Sequence, residues 1–195
     1  MNKQSTQYTI NQSSSAQYEI KKSQFIGVIM PCVNEREALQ QLGKLASQHA
    51  NANHLAFAWR IRQEDGVINE RCNDAGEPSG TAGRPILAPL EGGSIINVVV
   101  GVIRYFGGVK LGTGGLARAY GTAAKLAIEQ AELRLWIEIS KLTLTIDYSQ
   151  LQLLEYQLNK CNGQIIDQQF TDRVVVTISL PASEKEQIQQ QFLEY

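Results

Sequence analysis

The chain has 195 residues, 43% of them hydrophobic, with 18 Lys and Arg against 19 Asp and Glu for a formal net charge of -1. That length and apolar content can bury one large core or two small ones, and the near-neutral balance argues against a strongly basic nucleic-acid binder. Cys32, Cys72 and Cys161 are odd in number, widely separated and without metal-ligand spacing, which argues against a disulfide framework or a zinc site and for free thiols in a reducing compartment.

Residues 1–15 are rich in Gln, Ser, Asn and Thr and read as a flexible N-terminus without a signal core. With no run of membrane-spanning length, a soluble cytoplasmic protein is expected. Tyr18 to Lys22 and Phe25 to Val33 read as short strands, with a weakly marked turn around Ser23 and Gln24. Asn34 followed by Glu37 has capping-box spacing, and Ala38, Leu39, Leu42, Leu45 and Ala46 recur at helical spacing, so a helix is expected over about 35–49. His54 to Arg62 alternates as a strand with Leu55, Phe57, Trp59 and Ile61 on one face, and Val67 to Cys72 is its hairpin partner.

Pro85 suits the first turn of a short helix through Leu90. Ile95 to Tyr105 is the most apolar strand and belongs at the centre of a sheet. Thr113 is a candidate cap for the next helix, whose buried stripe is Leu116, Ala119, Ala123, Leu126, Ala127 and Ala131, ending near Leu133. From Trp136 the pattern restarts as strand, helix, strand, strand, helix, the order of a small ferredoxin-like domain. The expected organisation is thus α+β, with domains at 16–135 and 136–195 after the flexible start.

Two loops carry the chemistry. Asn97 to Tyr120 holds six of the chain's sixteen glycines directly behind an apolar strand. From Arg84 to Lys125 the basic residues are Arg84, Arg104, Lys110, Arg118 and Lys125, against the single acid Glu91. A strand ending at Tyr105 and a helix beginning near Gly114 turn free amides and the positive end of the helix dipole outward, a cradle for phosphate. Arg104 can add a bidentate contact, Lys110 and Arg118 longer-range charge, and Tyr105 or Phe106 a ring for stacking on a base. The loop is neither a Walker A sequence nor a GxGxxG dinucleotide fingerprint. Close packing of helix on sheet is the alternative use of its glycines.

The second loop, Asp74 to Pro85, places Asp74 and Glu77 three residues apart. They read either as a carboxylate pair for Mg²⁺ or general-base work, or as a turn in which Glu77 pairs with Arg84 or Arg104 and Thr81 caps the next helix. With His54, Asp74 and Glu77 are the only catalytic candidates. No nucleophile elbow or Cys/His pair is present.

The segments Gly76 to Pro85 (GEPSGTAGRP) and Val102 to Tyr120 (VIRYFGGVKLGTGGLARAY) closely resemble the paired signature of the YigZ/IMPACT family, in order and separation. The resemblance implies a first domain of βαβ type, similar to the second domain of a small-subunit ribosomal protein and domain IV of elongation factor G. It implies a second domain like domain V of that factor. Eukaryotic relatives in the family regulate translation, and bacterial ones are suspected of binding nucleic acid or ribosomes. Family positions map onto Asp74, Gly76, Glu77, Pro78, Gly80, Thr81, Gly83, Arg104, Tyr105, Gly107, Gly108, Leu111, Gly112, Gly114 and Gly115. Many relatives carry an acid where this chain has Ala75, which bears on any metal role for the loop.

The resulting expectation is a cytosolic, non-catalytic regulatory protein associated with translation. It binds RNA or ribosome-linked partners through Arg84, Arg104, Tyr105, Gly107, Gly108, Lys110, Gly112, Thr113, Gly114, Gly115 and Arg118. Gly76, Glu77, Pro78, Gly80, Thr81 and Gly83 brace that surface, and no cofactor, metal or membrane is expected. The alternatives are a phosphate- or nucleotide-binding hydrolase using Glu77 and Asp74, and a protein-protein adaptor without nucleic-acid contact.

Overall fold

Residues 6–193 are described in a computed structural model, in which the chain divides into two units between Trp136 and Ile137. The first comprises β1 (Tyr8–Thr9), β2 (Ser14–Ile20), β3 (Ser23–Pro31), α1 (Glu35–Gln48), β4 (His54–Arg62), β5 (Ile68–Asn73), α2 (Gly83–Gly92), β6 (Val98–Tyr105), α3 (Thr113–Glu129) and β7 (Arg134–Leu135). Five strands form one sheet in the order β2-β3-β6-β4-β5, antiparallel at every step. Since β3 and β4 both run antiparallel to β6, they are parallel to each other. With α1 between them they make a split βαβ unit.

The centre of this sheet is β6, buried from Val98 to Arg104. Alternation vanishes from its sequence because both of its faces are covered. On one face α1 brings Ala38, Leu42 and Leu45 against Val99, Ile103, Trp59 and Ile61. On the other, α2 and α3 bring Ile86, Leu90, Leu116, Tyr120, Ala123 and Ala127 against Val98, Val100, Val102, Phe25 and Ile29. Helix α3 lies so close to β3 that a Cβ on Gly27 would sit 2.3 Å from the Ala123 carbonyl oxygen. The small residues of the α3 stripe permit that approach.

The second unit is β8 (Ile139–Ile146), α4 (Leu151–Lys160), β9 (Gln164–Phe170), β10 (Val174–Pro181) and α5 (Lys185–Leu193). Its antiparallel sheet runs β8-β10-β9, and its separate core gathers Leu144, Ile146, Leu154, Leu158, Val176, Ile178 and Phe192. The fold class is α+β, with a three-stranded ferredoxin-like arrangement in this unit.

Two expectations need correction. Residues 1–5 of the expected flexible start lie outside the described residues. The rest is tied down: β1 pairs with β7, Tyr8 N–H donates to the Ser94 carbonyl, its own carbonyl accepts from Ile96 N–H, and Ile10 is 2% exposed. Main-chain pairing holds this polar stretch, and composition is blind to it. Thr113 does not cap α3. It is the first helical residue, and Gly112 occupies the N-cap at φ 72° with no side-chain hydrogen bond.

Candidate nucleic-acid interface

The loop after β5 is organised by Asp74. Its Oδ1 accepts from the amides of Ala82 and Gly83 at 2.9 and 2.8 Å, and its Oδ2 from Gly80 at 2.9 Å. It therefore caps α2 from eight residues upstream, the duty expected of Thr81, whose hydroxyl donates instead to the Pro78 carbonyl at 2.6 Å. Burial pushes the Asp74 carboxyl upward, but these three amides outweigh it and hold the acid below its usual range. Asp74 also opens a tight turn closed by Glu77 N–H to its carbonyl at 3.0 Å. Ala75 and Gly76 sit at its centre, both at positive φ, 51° and 84°.

That turn delivers Glu77 into the molecule. Its Oε1 accepts from Arg104 Nη1 at 2.6 Å and from the Tyr120 hydroxyl at 2.8 Å, joining loop, β6 and α3 in one buried cluster. Arg104 is only 6% exposed, and its Nε finds no hydrogen-bond partner. Its guanidinium carbon lies 5.6 Å from the Phe25 ring centroid and 5.4 Å from that of Phe106. Burial, then the hydrogen bond to Glu77, raises the Tyr120 phenol far above its ordinary value, so it remains a donor. His54 stands alongside: its Nδ1 donates to the Ala75 carbonyl at 2.9 Å, and its Nε2 is 3.8 Å from Glu77 Oε1.

Arg104 was expected to reach outward for phosphate. It is turned inward because β6 is covered on both faces and Glu77 is there to meet it. Asp74 and Glu77 are both engaged with internal donors, and among the described residues no three His, Cys, Asp or Glu groups cluster as metal ligands. Cys32 is no ready nucleophile: burial first, then the Glu37 charge, pushes its thiol up to about 12. Tyr120 was missed as a site residue, although a phenol within a stripe of leucine and alanines was the available signal.

The glycine-rich loop is open where the Glu77 cluster is closed. Gly108, Lys110, Gly112, Thr113, Gly114 and Arg118 are exposed, and Gly107 and Gly115 are half-buried. No side chain caps α3, no carboxylate occupies its first turn, and no acid occurs in the chain between Glu91 and Glu129. Arg118 reaches back along the helix, with Nη1 3.7 Å from where a Cβ on Gly114 would stand. Phe106 is 45% exposed, whereas Tyr105 is half-buried and hydrogen-bonds through its hydroxyl with His49 Nδ1 at 2.8 Å. Of the two rings considered for stacking, Phe106 is the accessible one. Arg84 lies on α2 and pairs with Glu91 at 2.9 Å. The scaffold positions Gly76, Pro78, Gly80, Thr81 and Gly83 all lie in the turn or at the α2 start that Asp74 holds.

The sequence profile of the Impact N-terminal domain matches residues 21–128, more than half of the chain and the whole of both loops. The chain belongs to the IMPACT family. A second profile, Domain of unknown function (DUF1949), matches residues 144–194. IMPACT family member YigZ of Escherichia coli strain K12 is 35% identical over 85% of this chain and 81% of its own length. The Protein IMPACT homolog of Dictyostelium discoideum is 35% identical over 47% of this chain and 27% of its own. A solved structure described as that of an hypothetical protein superposes with a TM-score of 0.70 at 31% identity, covering 95% of this chain and 90% of the other. Among the described residues, no helix of this IMPACT protein is long and apolar enough to cross a membrane.

Proposed function

We propose that this IMPACT protein is a regulatory RNA-binding protein of the translation machinery, acting in the cytoplasm. The observation that carries the reading is the uncapped N-terminus of α3, flanked by exposed Lys110, Arg118 and Phe106 in a stretch devoid of acids. Amides and cations in that setting favour phosphate, and an exposed ring beside them favours an unstacked base, the combination that single-stranded RNA presents. The link to translation rests on family membership and on the regulatory role of the eukaryotic relatives. Arg104 and Glu77 brace this surface from behind.

Phosphate contact predicts binding that weakens steeply with salt. The double variant Lys110→Ala/Arg118→Ala should bind a labelled stem-loop RNA on the order of tenfold less tightly, with the slope of log affinity against log salt reduced by about 1.4. Fluorescence anisotropy across a salt series measures both. An unchanged slope would remove the reading, and capture of a partner that survives nuclease treatment would favour the adaptor alternative.

A further inference from the structure

Strands β2 and β3 are joined by only two residues, Lys21 and Lys22, between the paired positions Ile20 and Ser23. Both lysines lie in the left-handed region, at φ 46° and 64°. Such hairpin turns strongly prefer Asn-Gly or Asp-Gly, because a side chain of ordinary L residues crowds the backbone there. Two exposed, long cationic side chains stand where the backbone disfavours them, and neither forms an ion pair with a described residue. Strain of this kind persists where surrounding structure enforces it, and it clusters at binding sites.

The two-residue connection itself demands that conformation, and the glycine-rich loop packs directly on the turn. The β3-β6 register pairs Gln24 with Tyr105, which carries Lys22 and Ser23 level with Phe106 and Gly107. Gly107 N–H donates to the Ser23 hydroxyl at 3.1 Å. A Cβ on Gly107 would lie 1.9 Å from the Lys22 carbonyl carbon and 2.4 Å from Ser23 N, so only glycine lets the two backbones meet. The dilysine turn is thereby fixed against the loop whose far end carries Lys110 and the α3 N-terminus.

We infer that Lys21 and Lys22 form a second phosphate-contacting element of the RNA surface, held against the glycine-rich loop through Gly107. The inference rests on the RNA-binding reading and extends it to a segment outside both signature loops. Lysine is a mobile point charge without the fixed fork of arginine, so these contacts go to backbone phosphates and add affinity without sequence preference. An RNA strand supplies a phosphate at every nucleotide and a base to lie on the exposed Phe106 ring, which an acidic peptide does not.

The test is a full-length variant, Lys21→Asn/Lys22→Gly, that supplies the favoured turn residues and removes both charges. Its melting temperature should equal or exceed that of the parent, while affinity for the labelled stem-loop RNA falls about tenfold and the salt slope drops by about 1.4. Lys21→Arg/Lys22→Arg, which keeps the charge, should retain parental affinity. If the Asn-Gly variant binds like the parent while Lys110→Ala/Arg118→Ala weakens binding, the inference fails and the RNA reading stands. If the parent does not bind RNA, both fail. Displacement of the RNA by polyglutamate as readily as by unlabelled RNA would overturn the assignment of the turn to nucleic acid. Should the Asn-Gly variant melt lower than the parent, Lys21→Gln/Lys22→Gln takes its place, and parental affinity there overturns the inference.

Discussion

The fate of a single side chain, Arg104, separates the part of the surface that binds from the part that supports. Buried against Phe25 and paired with Glu77 and, through it, Tyr120, it resists removal from either end. Glu77→Ala leaves an unmatched buried cation and should destabilise the protein by about 3–5 kcal/mol in denaturant titration. The double variant Glu77→Leu/Arg104→Met should lose markedly less than the sum of the singles, since it removes both charges together. A simple sum would mean that the pair is not coupled. Ala75 makes a smaller point of the same kind. At φ 51° it strains a turn that aspartate tolerates better, so Ala75→Asp should raise stability by about 0.5–1 kcal/mol in a thermal melt. An acid at this position would have a conformational explanation that needs no metal. The inward aim of Arg104 was not legible beforehand, because the β6 run is apolar on both faces and gives no alternation to say which way its terminal arginine points. Glu77 pairing with Arg104 was one of two readings its residues left open.

At the scale of elements, most helices and strands announced themselves. Asn34 accepts from Glu37 N–H at 2.9 Å at the start of α1, and β4 spans His54–Arg62 as its alternation indicated. What escaped were features made by the main chain: the two-residue strands β1 and β7, and a hairpin turn without Asn-Gly to mark it. The cap of α2 escaped for another reason, since Asp74 reaches it across a turn rather than from the adjoining residue. Its effect is testable by pH. An acid held below its ordinary range in the fold stabilises the protein above the unfolded-state value, about 3.9, and that contribution disappears as pH falls through the folded value. Asp74→Asn should therefore be less stable than the parent at neutral pH, and the difference should narrow progressively below about pH 4. A gap that stays constant down to acid unfolding would show that the ionised form contributes nothing.

For the whole molecule, the candidate surface and its supports fall within the first unit, whose core is separate from that of the second. A fragment of residues 1–136 should unfold cooperatively and bind RNA within about threefold of the full chain, the scatter expected of context effects on a shared site. Trimming to 21–128, the span of the family profile, removes β1, β2 and the buried Ile10 together with β7. That shorter piece should melt well below the longer one by circular dichroism. Equal melting points would mean that the strand pairing at the margins contributes nothing to stability.

One contact at those margins reaches further. Trp136 N–H donates to the Gln7 carbonyl at 2.8 Å, so the first unit leaves the β1-β7 ribbon at the same place it enters it. A module whose entry and exit coincide is topologically a closed ring with one interchangeable opening. It should accept splicing into a host loop, or an opening moved to the turn at the exposed residues Glu64 and Asp65, with every strand of the sheet keeping its neighbours.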